Sequence, residues 1–153
     1  GKVGIIYDVV RDEIYHAVEG EGAYINGRRL ERLSPLPLES SLVAVNASWV
    51  VSGSSLLRRG ILDVLENARG TRSIGSAALE IAGVAAGRLD AYLSMQLSPW
   101  DYAGGAVLIK ELGGVVSKLD GEELTYRGAS SFIACRPELY DEIIQSFRTK
   151  KNP

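Results

Sequence analysis

Apolar residues in the first third of the chain alternate or gather in short runs, whereas further on they recur at helical spacing. Val3–Val10 (VGIIYDVV) and Glu13–Val18 (EIYHAV) are rich in β-branched and aromatic residues, which suit a pleated surface. Arg11-Asp12 forms a tight polar connection between them, so the pair predicts a β-hairpin. Glu19–Gly22 leads into a short strand at Ala23–Ile25, closed by the turn pair Asn26-Gly27. Ser34–Glu39, with Pro35 and Pro37, predicts a loop. Leu42–Val45 (LVAV) is a continuous apolar run, as in a strand covered on both faces.

Beyond that run the pattern changes period. Leu57, Ile61, Val64, Leu65 and Ala68 lie on one face of a helix of about four turns. Thr71–Ile74 predicts a short strand, and Ser76–Ala86 an alanine-rich helix stopped by Gly87. Asp90–Met95 predicts a strand, after which Ser98-Pro99 supplies an N-cap and first helical position. The stripe expected on that helix is Trp100, Ala103, Val107, Leu108 and Leu112, with Gly113-Gly114 ending it. Val115–Leu119 and Ser131–Cys135 predict strands. A last helix carries Leu139, Ile143 and Phe147 on one side, and Thr149–Pro153 is expected to be a frayed tail. Antiparallel strands followed by β/α alternation imply an α/β fold of the α+β layered-sandwich type.

Composition narrows the function classes. The 153 residues are 46% hydrophobic and 24% charged with a net charge of −2, which argues against a broad basic surface for nucleic acid. No apolar run approaches the roughly 20 residues of a membrane span, and no signal-peptide pattern opens the chain. Cys135 is the single cysteine, so an intrachain disulfide is excluded and a reducing cytoplasm is the expected location. His16 is the single histidine, so a bound metal would be held mainly by oxygen, as Mg²⁺ prefers. His16 is expected to be structural or solvated, Cys135 an apolar filler, and Arg28-Arg29 and Arg58-Arg59 solvated charges. Trp49 and Trp100 are expected to be packing residues rather than substrate platforms.

Candidate chemistry concentrates at two helix starts. Asp101 sits in a first turn, where the helix dipole and free N–H groups favour a carboxylate. It is either a helix-terminus residue or a cation ligand. Ala103, Gly104 and Gly105 would let other backbone approach that helix closely. Ser76, before the alanine-rich helix, is by itself an ordinary N-cap.

The segment Pro99-Trp100-Asp101-Tyr102-Ala103-Gly104-Gly105, running on to Gly113-Gly114, resembles the signature of the inositol monophosphatase family. Gly22–Gly27, the Gly4–Tyr7 and Ile14–His16 strands, and Arg72–Ala78 resemble further family segments in the same order. The resemblance implies hydrolysis of inositol or sugar phosphate monoesters by Mg²⁺-activated water. It implies Asp101 as a metal ligand that also contacts the substrate, and Gly75, Ser76 and Ala77 as substrate-binding residues. Family members often carry a Glu seven positions before this Asp. Ser94 stands there instead, which detaches specificity from myo-inositol phosphates.

The family's Asp-Pro-x-Asp-Gly-Thr/Ser motif is not in this sequence; its one Asp-Gly, Asp120-Gly121, falls in an expected turn. The resemblance therefore implies that residues 1–38 end a larger antiparallel sheet region and that residues 39–153 form a C-terminal α/β sandwich. A catalytic part of about 100 residues would precede them in an intact protein. The chain alone is then expected to be inactive and to associate through uncovered strands, as a homo-oligomer. A fructose bisphosphatase or adenosine bisphosphate phosphatase lies within the same superfamily. A different class altogether is a non-catalytic binding or oligomerisation module.

Overall fold

The computed structural model describes residues 2–52 and 55–148; the expected tail at 149–153 lies outside them. Two sheets organise the chain. The first is antiparallel and contains, in spatial order, β1 (Val3–Asp8), β2 (Glu13–Val18), β3 (Gly22–Ile25) and β4 (Arg28–Arg29). After a 3-10 turn at Leu38–Ser40 come β5 (Leu42–Val45), α1 (Ala47–Ser52), α2 (Ser55–Asn67), β6 (Gly70–Arg72), α3 (Ala77–Ala85), β7 (Ala91–Leu97), α4 (Pro99–Glu111), β8 (Val115–Ser117), β9 (Ser130–Cys135) and α5 (Leu139–Arg148). The second sheet runs β6-β5-β7-β9-β8. Its β5 is parallel to β6 and β7, whereas β9 is antiparallel to β7 and β8.

Strand parity fixes the layering, because successive side chains point to opposite faces. Val43, Val45, Ala91, Leu93, Ile133 and Cys135 face one way and pack with Ile61 and Val64 of α2 and Leu139, Ile143 and Phe147 of α5. Ala44, Tyr92, Phe132 and Ala134 face the other way, toward α3 and α4. Those two helices also receive Ile6, Tyr15, Ala17, Ala23 and Ile25 from the first sheet. The result is sheet, helix pair, sheet, helix pair, the layered α/β sandwich that the pattern of elements implies.

Several details differ from the sequence expectation. The first strand stops at Asp8, not Val10, because the Asp8 carboxylate accepts the Val10 and Arg11 N–H groups and turns the chain. Helix α1 has no counterpart in the sequence reading. β6 begins at Gly70 and ends at Arg72, and β8 ends at Ser117. Helix α4 is not striped: Tyr102, Gly105, Ala106, Val107, Leu108 and Ile109 are all buried, since it lies between two sheets. Trp100, in the first turn of α4, is 84% exposed, which overturns its assignment as a packing residue, since no neighbouring element covers it. Trp49 does pack against the α2/α5 side of the core. His16 stacks on Tyr24 across β2 and β3 at 5.1 Å, and Cys135 is fully buried.

The outer face of the first sheet stays apolar and open. Val3, Ile5 and Tyr7 of β1 are 57%, 64% and 51% exposed, and β1 is an edge strand. Among the described residues no helix is long and apolar enough to cross a membrane.

Candidate active-site cleft

Two helix starts and the end of one strand enclose a cleft of about 350 Å³ lined by Ile5–Val10, Ser76, Ala78, Leu79, Trp100, Asp101, Gly104 and Gly105. Ser76 and Asp101, 25 positions apart in the sequence, thus share one concave surface. Gly75 and Ala77 flank Ser76 in the chain but do not line the cleft. Nor does Ser94, which is fully buried, with its hydroxyl turned back to the Gln96 carbonyl.

Local chemistry explains each position. Ser76 is the N-cap of α3, with extended backbone and an Oγ that accepts the Leu79 N–H at 3.4 Å. Gly75, before it, adopts φ +87°, a conformation L residues rarely take. Ser98 caps α4 in turn, and Asp101 Oδ2 accepts the Ser98 N–H at 2.9 Å. That reciprocal bond fixes the carboxylate at the helix start. An ionised carboxylate has about four lone-pair sites, so most of its acceptor capacity remains open toward the cleft.

Close backbone approach holds the cleft together. A Cβ built on Gly4 would collide with the Gly104 carbonyl oxygen, and one on Gly105 would lie 2.5 Å from Ile81 Cγ2. The small-residue run after Asp101 therefore lets β1 and α3 both press against α4, as its composition suggests.

Some lining and supporting residues escaped the sequence reading. Asp8 is 95% buried at the end of β1, bonded to Arg11 Nη1 at 2.9 Å, and that guanidinium holds its carboxyl below the ordinary range. Glu80 is 99% buried in α3. The available signal for Glu80 was a single charge inside the apolar run Ala77–Ala86. For Asp8 it was a polar residue on the inward parity of β1.

Mg²⁺ makes a definite demand on such a donor set. Such an ion takes about six oxygen ligands, and among the described residues no three of His, Cys, Asp or Glu converge. Asp101 supplies one carboxylate, so these residues do not form a complete cation site by themselves.

Residues 1–152 match the model of the inositol monophosphatase family. The chain is 45% identical over 147 residues to the inositol-1-monophosphatase of Bacillus subtilis, covering 96% of this chain and 56% of that protein. It is 32% identical over 148 residues to Nus factor SuhB of Escherichia coli K12, covering 96% and 55%. The solved structure of inositol monophosphate bound to the staphylococcal IMPase-II superposes with a TM-score of 0.89 at 39% identity, covering 95% of this chain and 56% of that one. The chain thus spans little more than half the length of the relatives it matches. On sequence and fold together, it belongs to the inositol monophosphatase family.

Proposed function

We propose that this chain is the sugar-facing part of a phosphatase that hydrolyses inositol or sugar phosphate monoesters. One observation carries the reading: Ser76 and Asp101, each at a helix start, line the same cleft. Family membership supports it, as does the inositol monophosphate bound to the staphylococcal relative. Gly75, Ser76 and Ala77 are assigned to the sugar. Asp101 is assigned to one Mg²⁺ coordination position and to a substrate hydroxyl. The other metal ligands come, in this proposal, from residues outside this chain, and the 153 residues alone are inactive. Ser94 in place of a hydroxyl-binding glutamate leaves fructose or adenosine bisphosphates as alternative substrates.

The test is phosphate release from inositol monophosphate, with and without Mg²⁺, by the product of the complete reading frame and by this chain alone. The complete product should turn over only with Mg²⁺, and Asp101→Asn should lower its kcat/KM on the order of 100-fold, since even outer-shell changes at metal sites cost 10–100-fold. Comparable turnover by the 153-residue chain, or an unaffected Asp101→Asn enzyme, would refute the assignment. The lack of a three-ligand cluster among the described residues favours one competing reading, a non-catalytic binding module. Silence of the complete product on all phosphate esters would select it. Homo-oligomerisation is part of the same proposal, through the open apolar face of β1.

A further inference from the structure

Among the described residues Glu80 is the one carboxylate buried inside the helix layer next to the cleft, and its partners explain why it is tolerated. Its Oε1 accepts the Ile74 N–H at 2.7 Å. The Gly75 amide and the Tyr92 hydroxyl lie near enough to favour the charged form of the carboxylate. The rest of α3 around it, Ile81, Ala82, Val84 and Ala85, is apolar and buried. A buried carboxylate is costly unless donors converge on it, and here a direct donor is the backbone of Ile74, two residues before Ser76.

The consequence for geometry is specific. Ile74 and Gly75 lie between β6 and α3, on an exposed connection with φ +87° at Gly75. Glycine at such a position leaves the turn with little conformational preference of its own. Sheet ladder bonds end at Arg72, so the side chain of Glu80 reaches back and supplies the anchor the backbone lacks. On its other side lies the buried Tyr92, from β7, whose hydroxyl is also under the influence of Ser94. Ser94 Oγ in turn bonds the Gln96 carbonyl at 3.1 Å, within the irregular stretch of β7 between Ser94 and Leu97 that feeds the Ser98–Asp101 helix start. Three buried polar residues, Glu80, Tyr92 and Ser94, therefore lie between the turn that carries Ser76 and the end of β7 that leads into the Ser98–Asp101 helix start.

We infer that Glu80 is a positioning residue, which holds the Ile74–Ser76 turn against Tyr92 and so sets the place of Ser76 relative to Asp101 in the cleft. The inference rests on the proposed phosphatase reading for its effect on substrate, but not for its effect on the turn. Burial raises the Glu80 carboxyl above the ordinary glutamate range, opposed by the Ile74 and Gly75 amides and by Tyr92. That balance is expected of a carboxylate retained for its acceptors.

Two variants separate a positioning role from mere packing. Glu80→Met keeps the volume and removes every acceptor. Glu80→Gln keeps one carbonyl for the Ile74 amide. In this chain, amide hydrogen exchange at Ile74 and Gly75 should accelerate about tenfold or more in Glu80→Met, as one lost hydrogen bond implies, and Glu80→Gln should restore Ile74 protection. In the product of the complete reading frame, Glu80→Met should raise KM for inositol monophosphate about tenfold with kcat within a few-fold of wild type, and Glu80→Gln should recover most of the KM. Wild-type exchange and wild-type KM in Glu80→Met would overturn the inference. A wild-type protein without turnover would instead sink the phosphatase reading, and the exchange result would then decide the role of Glu80.

Discussion

The contact between Gly4 of β1 and Gly104 of α4 offers the sharpest test of how the cleft is built. Gly4 has ordinary strand dihedrals, so alanine meets no backbone strain there, and the whole effect comes from its Cβ. That atom would overlap the Gly104 carbonyl oxygen and lie 3.0 Å from both the Gly104 carbonyl carbon and Val107 Cβ. The obstructing group is helix backbone, which cannot rotate away, so β1 and α4 must separate by on the order of 1 Å, an overpacking that costs about 3 kcal/mol. Reduced freedom of the unfolded chain offsets about 0.4–1 kcal/mol, leaving a net loss of about 2 kcal/mol. At about 2–4 °C per kcal/mol for a chain of this size, Tm should fall by about 4–8 °C.

Gly104→Ala is the matched control. Its Cβ would lie 3.2 Å from the Ile5 carbonyl oxygen, a contact relieved by a few tenths of an ångström. Alanine in a helix interior gains up to about 1 kcal/mol over glycine, so the two effects should nearly cancel. Thermal unfolding of both variants, followed by far-UV circular dichroism, gives the comparison. The reasoning fails if Gly4→Ala melts within about 1 °C of wild type, a fraction of a kcal/mol. It fails equally if Gly104→Ala loses as much as Gly4→Ala.

Two further outcomes follow from buried and paired polar groups. The Tyr102 hydroxyl is buried with no hydrogen-bond partner among the described residues, while its ring packs on Phe132 and Tyr126. Tyr102→Phe should therefore leave stability unchanged or raise it by up to about 1 kcal/mol, and denaturant titration showing a clear loss would reveal a partner for that hydroxyl. Glu13 is bonded to Arg88 at 2.6 Å and to the Tyr15 hydroxyl at 2.7 Å. Arg88 first, and then Tyr15, lower its carboxyl from 4.5 to about 2. A folded-state value below the unfolded one gives stability that is complete above pH 4.5 and is lost as pH falls toward 2. Chemical denaturation between pH 6 and 2.5 should show that decline in wild type and a shallower one in Glu13→Gln; parallel profiles would contradict it.

The sequence by itself determined most of the elements, because strand parity and helix periodicity are local consequences of backbone geometry. It placed the hairpin around Arg11-Asp12, the caps at Ser76 and Ser98, and the buried core strand Leu42–Val45. The run Pro99–Gly114 was enough to suggest the family. It misjudged α4, whose residues face core on nearly every side, since an amphipathic stripe is expected of a helix with one buried face and this helix has two. It could not place Trp100 either, for exposure depends on what stands opposite a side chain rather than on the side chain itself. Only the tertiary structure brought Ser76 and Asp101 to one cleft, left Gly75 and Ala77 off its surface, and joined Glu80 to the Ile74 amide. Those relations are set by how two sheets clasp α3 and α4, through contacts such as Gly4 with Gly104 that join residues a hundred positions apart. No local pattern encodes such contacts, because each glycine is informative only once its neighbour in space is known.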